Sequence, residues 1–187
     1  MRRRSLGRLA LGALLLPLAG APTAARAEGV EVLALQVERG PTIVAVDFAL
    51  RVTLPAAVED ALRRGVPLHF VARAALYRSR WYWRDERIGR ATRQWRLSYQ
   101  PLTNSYRVSI GGLHQSVGSL DEALTTVTRL SSWRLADADD IDPGGRHYVE
   151  FEWRLDTSQL PRPMQIGVGS LPEWTLELER TLPLSPS

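Results

Sequence analysis

The sequence predicts a mainly β chain, an antiparallel β-sandwich of immunoglobulin-like type with one or two short helices. Three observations carry this expectation. Four runs alternate apolar and polar residues with period two. Only one stretch shows a clear apolar stripe at helical spacing. Glycine- and proline-bearing segments divide the runs as turns do.

Val30–Val37 and the run Val44, Val46, Phe48, Leu50, Val52 read as the first two strands, joined by the turn Arg39-Gly40-Pro41. Pro55 opens a short helix to Arg64, which Gly65 stops. The next strand starts at Val66 and points Leu68, Phe70, Ala72, Ala74 and Leu76 one way. Near Arg78 the apolar phase moves to odd positions, at Trp81 and Trp83. Either a β-bulge lies at 78–80, or the two tryptophans emerge on the opposite face. A polar turn from Asp85 to Ala91 precedes Trp95, Leu97 and Tyr99, a hairpin expected to set Trp81 and Trp83 near Trp95. Tyr106, Val108 and Ile110 form a strand that Gly111-Gly112 breaks.

Ser119 and Glu122 have capping-box spacing, and Leu120, Ala123, Leu124, Val127 and Leu130 share one helical face, so the main helix is expected over 119–130. Val149, Phe151, Trp153 and Leu155 alternate with polar partners. The proline-bounded loop Leu160-Pro161-Arg162-Pro163 leads to a last strand holding Trp174, Leu176 and Leu178. About seven strands result. Phe48, Phe70, Phe151 and Trp153 are expected in the core.

Residues 1–27 read as a cleaved signal peptide and 28–187 as a single β-sandwich domain. Arg2, Arg3, Arg4 and Arg8 precede an apolar stretch from Leu9 to Ala19, and Ala25-Arg26-Ala27 closes it before Glu28. The stretch is shorter than the ~20 residues a bilayer span needs, and Pro17 interrupts it, so no stable membrane span is expected after cleavage. Arg3-Arg4-Ser5-Leu6 is a loose twin-arginine pattern. The general secretory route fits better, since nothing downstream calls for a cofactor inserted before export. Five of the 24 basic residues lie in this leader and no acid does, so the mature portion carries 19 against 20 acids, a net charge of −1. That balance gives no case for nucleic-acid binding. There is no cysteine and no lysine, so every cation is an arginine that can fork onto a carboxylate or stack on a ring.

No catalytic motif stands out, and no enzyme activity, cofactor or metal is expected. His69, His114 and His147 lack ligand spacing to one another. Asp137, Asp139, Asp140 and Asp142 precede Pro143-Gly144-Gly145, but Ile141 stands where a calcium loop needs an acid, so a solvated hairpin loop is expected. The segment 73–96 is unusual. Eight arginines mix there with Tyr77, Trp81, Tyr82, Trp83 and Trp95. Arg78, Arg80, Trp81, Tyr82, Trp83 and Arg84 are the candidate binding residues, with the arginines free for a partner. The competing expectation is a self-satisfied surface in which Glu150 and Glu152 pair with the arginines.

Taken in order, Arg80-Trp81-Tyr82-Trp83-Arg84-Asp85, Leu97-Ser98-Tyr99, Tyr106-Arg107-Val108, Glu122-Ala123-Leu124 and the stretch Leu155 to Gln165 resemble the domain-of-unknown-function 4390 family (DUF4390) of exported proteobacterial proteins. The resemblance departs at Glu177–Arg180, where relatives often carry more tryptophan. It implies a periplasmic envelope protein, often encoded beside a two-component sensor kinase, and brings no activity or catalytic residues. The functional expectation is a non-catalytic binding or regulatory accessory for another envelope protein. The alternative is a binder of an anionic or glycan envelope ligand through the arginine/aromatic hairpin.

Overall fold

The computed structural model describes residues 29–162, 164–165 and 171–184. The predicted leader lies outside them. Among the described residues, nine strands form two antiparallel sheets. Strands β1 (Gly29–Arg39), β2 (Ile43–Thr53) and β7 (Arg129–Asp137) make a three-stranded sheet in the order β1-β2-β7. Strands β3 (Leu68–Arg78), β4 (Glu86–Gln100), β5 (Ser105–Ile110), β6 (Leu113–Val117), β8 (His147–Leu155) and β9 (Glu177–Pro183) make a six-stranded sheet, ordered β6-β5-β4-β3-β8-β9. Helix α1 (Ala56–Arg63) follows β2, and α2 (Leu120–Thr128) lies between β6 and β7.

The alternating pattern works as expected in β2, β3 and β8. One face of each is apolar because it is removed from water, and the period-two geometry of a strand keeps it so. Leu68, Phe70, Ala72, Ala74 and Leu76 are buried on β3, as are Val149, Phe151 and Trp153 on β8. Phe48 on β2 joins the sheets. Its ring lies 6.5 Å from Trp95 on β4, 5.1 Å from Phe151 on β8 and 6.2 Å from Trp133 on β7. Phe70 stacks on Trp153 at 5.3 Å. The Trp153 indole N–H, deep in this core, donates to the carbonyl of Val127 at 3.0 Å and so fastens α2 to β8. The Ser119 hydroxyl accepts from the Glu122 amide at 3.2 Å, the first half of the expected capping box.

Several expectations change. The turn between β3 and β4 is 79–85, and the segment read as a polar turn from Asp85 to Ala91 is the start of β4. Trp95 pairs with Phe70 in the core, far along the strands from Trp81 and Trp83. The bulge exists on the other strand: Leu76 pairs with Gly89 and Tyr77 with Arg87, which leaves Ile88 as the extra residue. Helix α2 ends at Thr128 and Leu130 belongs to β7. That strand bulges at Ser132 (φ 52°), where the Ser132 amide donates to Asp47 Oδ1 at 2.6 Å. The aspartates at 137–142 do not form a hairpin loop. They join β7 to β8 and so cross from one sheet to the other. Trp174 is buried on a short 3-10 turn, Pro172–Trp174, and the last strand begins at Glu177. It pairs with β8 along its length.

At Gly89 the backbone of β4 packs directly against β7 of the other sheet. A Cβ there would collide with the Leu135 carbonyl oxygen and stand 3.0 Å from the Ala136 Cβ on β7. Gly89→Ala should therefore force a backbone shift and lower stability by about 1–3 kcal/mol, read by urea denaturation. Phe151→Ala removes a ring that is 1% exposed and touches Phe48. It should cost about 3–5 kcal/mol. A loss below about 1 kcal/mol would contradict a core position for Phe151.

Candidate functional site: the tip between β3 and β4

The turn 79–85 is short and strongly tied at its base. The Ser79 amide donates to the Arg146 carbonyl at 2.8 Å. Asp85 closes the loop on itself by accepting from the Arg80 amide at 3.0 Å, and it also accepts from the Tyr148 hydroxyl of β8 at 2.7 Å. Glu86 accepts from both the Arg78 and Arg80 guanidinium groups, including Arg78 Nε at 3.1 Å. Asp142, from the crossing segment, lies 3.6 Å from Arg78. Tyr77 stacks on Tyr148 at 5.3 Å with an interplanar angle of 18°, which holds the phenol in place to reach Asp85.

The six candidate residues therefore divide. Arg78 and Arg80 are half-buried and spent on Glu86, so the expectation of free arginines fails for these two. They are not paired with Glu150 or Glu152 either. Glu152 takes Arg73 at 3.3 Å and Arg154 at 2.8 Å. Trp81, Tyr82 and Trp83 stand in water, at 90%, 70% and 73% exposure, and Arg84 is exposed beside them. Trp81 and Tyr82 make only an edge contact with each other, with centroids 5.2 Å apart. Burial of one large apolar side chain is worth about 1.5–3 kcal/mol. Three adjacent aromatics held out of the core forgo that gain, although the loop beneath them is pinned.

The titrating groups at the base respond to these contacts. Hydrogen bonding from Tyr148, then from the Arg80 amide, holds Asp85 below the ordinary carboxylate range. The hydrogen bond from Arg78 does the same for Glu86. Asp85 in turn pushes the Tyr148 phenol up to about 12. Lowered carboxyl values mean that their support for the loop is intact above the usual carboxylate range and is lost as pH falls through the lowered values. The raised phenol works the other way. Its contribution is intact below its ordinary value of 10.0 and is lost as pH rises through about 12.

Elsewhere the histidines are dispersed. His147 is buried in β8. His69, on β3, is lowered by burial and by Arg96, and His114 meets the Ser109 hydroxyl at 2.9 Å. Among the described residues, no three His, Asp or Glu side chains gather as a metal site, and no helix is long and apolar enough to cross a membrane. The Tyr148–Asp85 contact spans 63 positions and was invisible in the sequence. Its one trace was a tyrosine where β8 otherwise carries charged residues on its outer face.

Tyr148→Phe should raise the pH at which the Asp85 carboxyl titrates, followed by NMR, while global stability changes little. An unaltered Asp85 titration would show that the hydrogen bond does not set its acidity.

No curated protein and no solved structure matches the chain. The family model described as a domain of unknown function, DUF4390, matches residues 27–182 of the 187, and the chain belongs to that family.

Proposed function

We propose that this protein is a non-catalytic accessory of the bacterial envelope, exported with loss of residues 1–27 and acting in the periplasm, where it docks onto another envelope protein through the 79–85 tip. The observation that carries this reading is the contrast within the tip: a base fixed by Asp85 and Glu86, and an apex of three exposed aromatics with Arg84. Tryptophan and tyrosine have only two side-chain torsions to lose on binding, and aromatic and arginine residues dominate contact energies at interfaces. The family match starting at residue 27, where the predicted leader ends, is consistent with a mature domain from residue 28.

A two-component sensor kinase is the first partner to test, on the strength of the neighbourhood that the family resemblance implies. We also read the sandwich as immunoglobulin-like. The support is two facing antiparallel sheets with recognition residues on an end loop. The alternative, an anionic or glycan ligand gripped by the same hairpin, is disfavoured at the tip, because two of the three candidate arginines, Arg78 and Arg80, already serve Glu86.

The experiment is site-specific photocrosslinking in cells. A photoreactive residue at position 82 should trap a discrete protein, and one at Gln94 on β4 should not. Trp81→Ala with Trp83→Ala should abolish that adduct while the melting temperature stays the same, since neither side chain packs in the core. An adduct that survives the double substitution would refute docking through the tip.

A further inference from the structure

The outer face of the six-stranded sheet holds a hollow of about 590 Å³. Strand register defines its walls. In one row Arg90 on β4, Ala75 on β3 and Glu150 on β8 lie side by side, with Thr181 of β9 beyond. Paired residues of an antiparallel sheet point to the same face, so Ala75 forms a low floor between a cation and an anion. The next row, Arg87, Tyr77 and Tyr148, closes one end, with Tyr77 as the wall and Tyr148 stacked on it. The row on the other side, Thr92, Arg73, Glu152 and Glu179, closes the opposite end with the Arg73–Glu152 ion pair at 3.3 Å.

Arg180 also lines the hollow on the β9 edge, where its guanidinium donates to the Glu179 carbonyl at 2.8 Å. The remaining charges without an ion-pair partner are segregated: Arg87 and Arg90 stand on the β4 flank, Glu150 and Glu179 on the β8/β9 flank. Among the described residues none of these four makes a salt bridge, whereas Glu152 is already neutralised by Arg73 and Arg154. Strands β4 and β8 are two strand spacings apart, about 9–10 Å, and no ion pair spans Ala75. A lone anion in the hollow would be attracted by Arg87 and Arg90 but repelled by Glu150. A lone cation meets the reverse. A molecule carrying both charges satisfies both flanks, and the tyrosine wall offers a flat apolar surface to its ring or backbone.

We propose that this hollow binds a small zwitterion, with its anionic group on Arg87 and Arg90 and its ammonium on Glu150 and Glu179. An amino-sugar phosphate and a short peptide share that chemistry. The site is separate from the tip, and the test keeps the two apart.

The test is calorimetric titration of the mature chain at low salt with glucosamine phosphate in one arm and dialanine in the other. Binding by at least one is expected, and which one identifies the source. For the sugar arm, N-acetylglucosamine phosphate and glucose phosphate, which lack the ammonium, should bind at least about tenfold more weakly; for the peptide arm, N-acetyl-dialanine should do the same. Arg90→Gln and Glu150→Gln should each weaken binding about tenfold without a change in melting temperature. Ala75→Leu should fill the floor and abolish binding. Trp83→Ala, in the tip, should leave it untouched. The proposal is overturned if neither zwitterion binds at millimolar concentration, if the ammonium-free analogues bind as well as the parent, or if both glutamine variants bind normally. Since those two substitutions sit on exposed side chains, their effect on binding decides the matter even if Ala75→Leu fails to fold.

Discussion

The contact on which the architecture rests is the packing of Phe48 against three aromatics from three other strands. Trp133 belongs to its own sheet, and Trp95 and Phe151 belong to the opposite one. Without cysteine, no covalent link between sheets is available, so registry between them has to come from shape. Phe48 supplies it from the middle strand of the small sheet, where both neighbours fix its backbone. Trp153, one layer away, uses its ring to stack on Phe70 and its N–H to hold α2. The large sheet thereby acquires a rigid middle, β4-β3-β8, on which the tip is built and on which the outer hollow rests, with β9 as the hollow's far edge.

The parts of the fold that were legible in the sequence are those where one face alone is apolar. Strands β2, β3 and β8 announced themselves for that reason, and so did α2 through its serine cap. The first half of β4 did not. Its inward positions are Gly89, Ala91 and Arg93, because β7 comes so close at Gly89 that no bulky apolar residue fits there. The tight packing itself erased the alternation that would have revealed the strand. Strand β6 is an edge with four of its five residues exposed, so it had no pattern to show. Strand β7 was masked by its neighbour, since Leu130 continues the helical spacing of Val127. The run Thr125-Thr126-Val127-Thr128 was the available warning, being β-branched and poor at extending a helix.

The candidate site was half legible. The sequence showed that arginine and aromatic residues concentrate between 77 and 96, and that something changes after Arg78. It could not show which arginines are occupied. That is decided by Glu86, which lies next in sequence to Asp85 and was read as part of a turn. Since it opens β4, it faces Arg78 across the ladder and draws in Arg80 as well. One carboxylate thus converts two of the three candidate cations into scaffold, and the exposed chemistry of the tip is left predominantly aromatic.

Tyr148 stands at the junction of the two surfaces. Its ring backs Tyr77, a wall of the outer hollow, and its hydroxyl holds Asp85 in the base of the tip. Residues 28–187 carry 19 basic against 20 acidic side chains, so neither surface sits in a strong long-range field of one sign. Recognition then has to come from local arrangement: stacked rings, forked guanidinium groups and carboxylates placed by strand register. In the outer hollow the sheet provides that placement at little entropic cost, because the side chains there are fixed at their roots by ladder hydrogen bonds; in the tip, Asp85 and Glu86 do the same work from the base of the turn. The absence of lysine fits the same economy of motion, since each arginine presents a planar fork whose orientation a single carboxylate such as Glu86 or Glu152 can set.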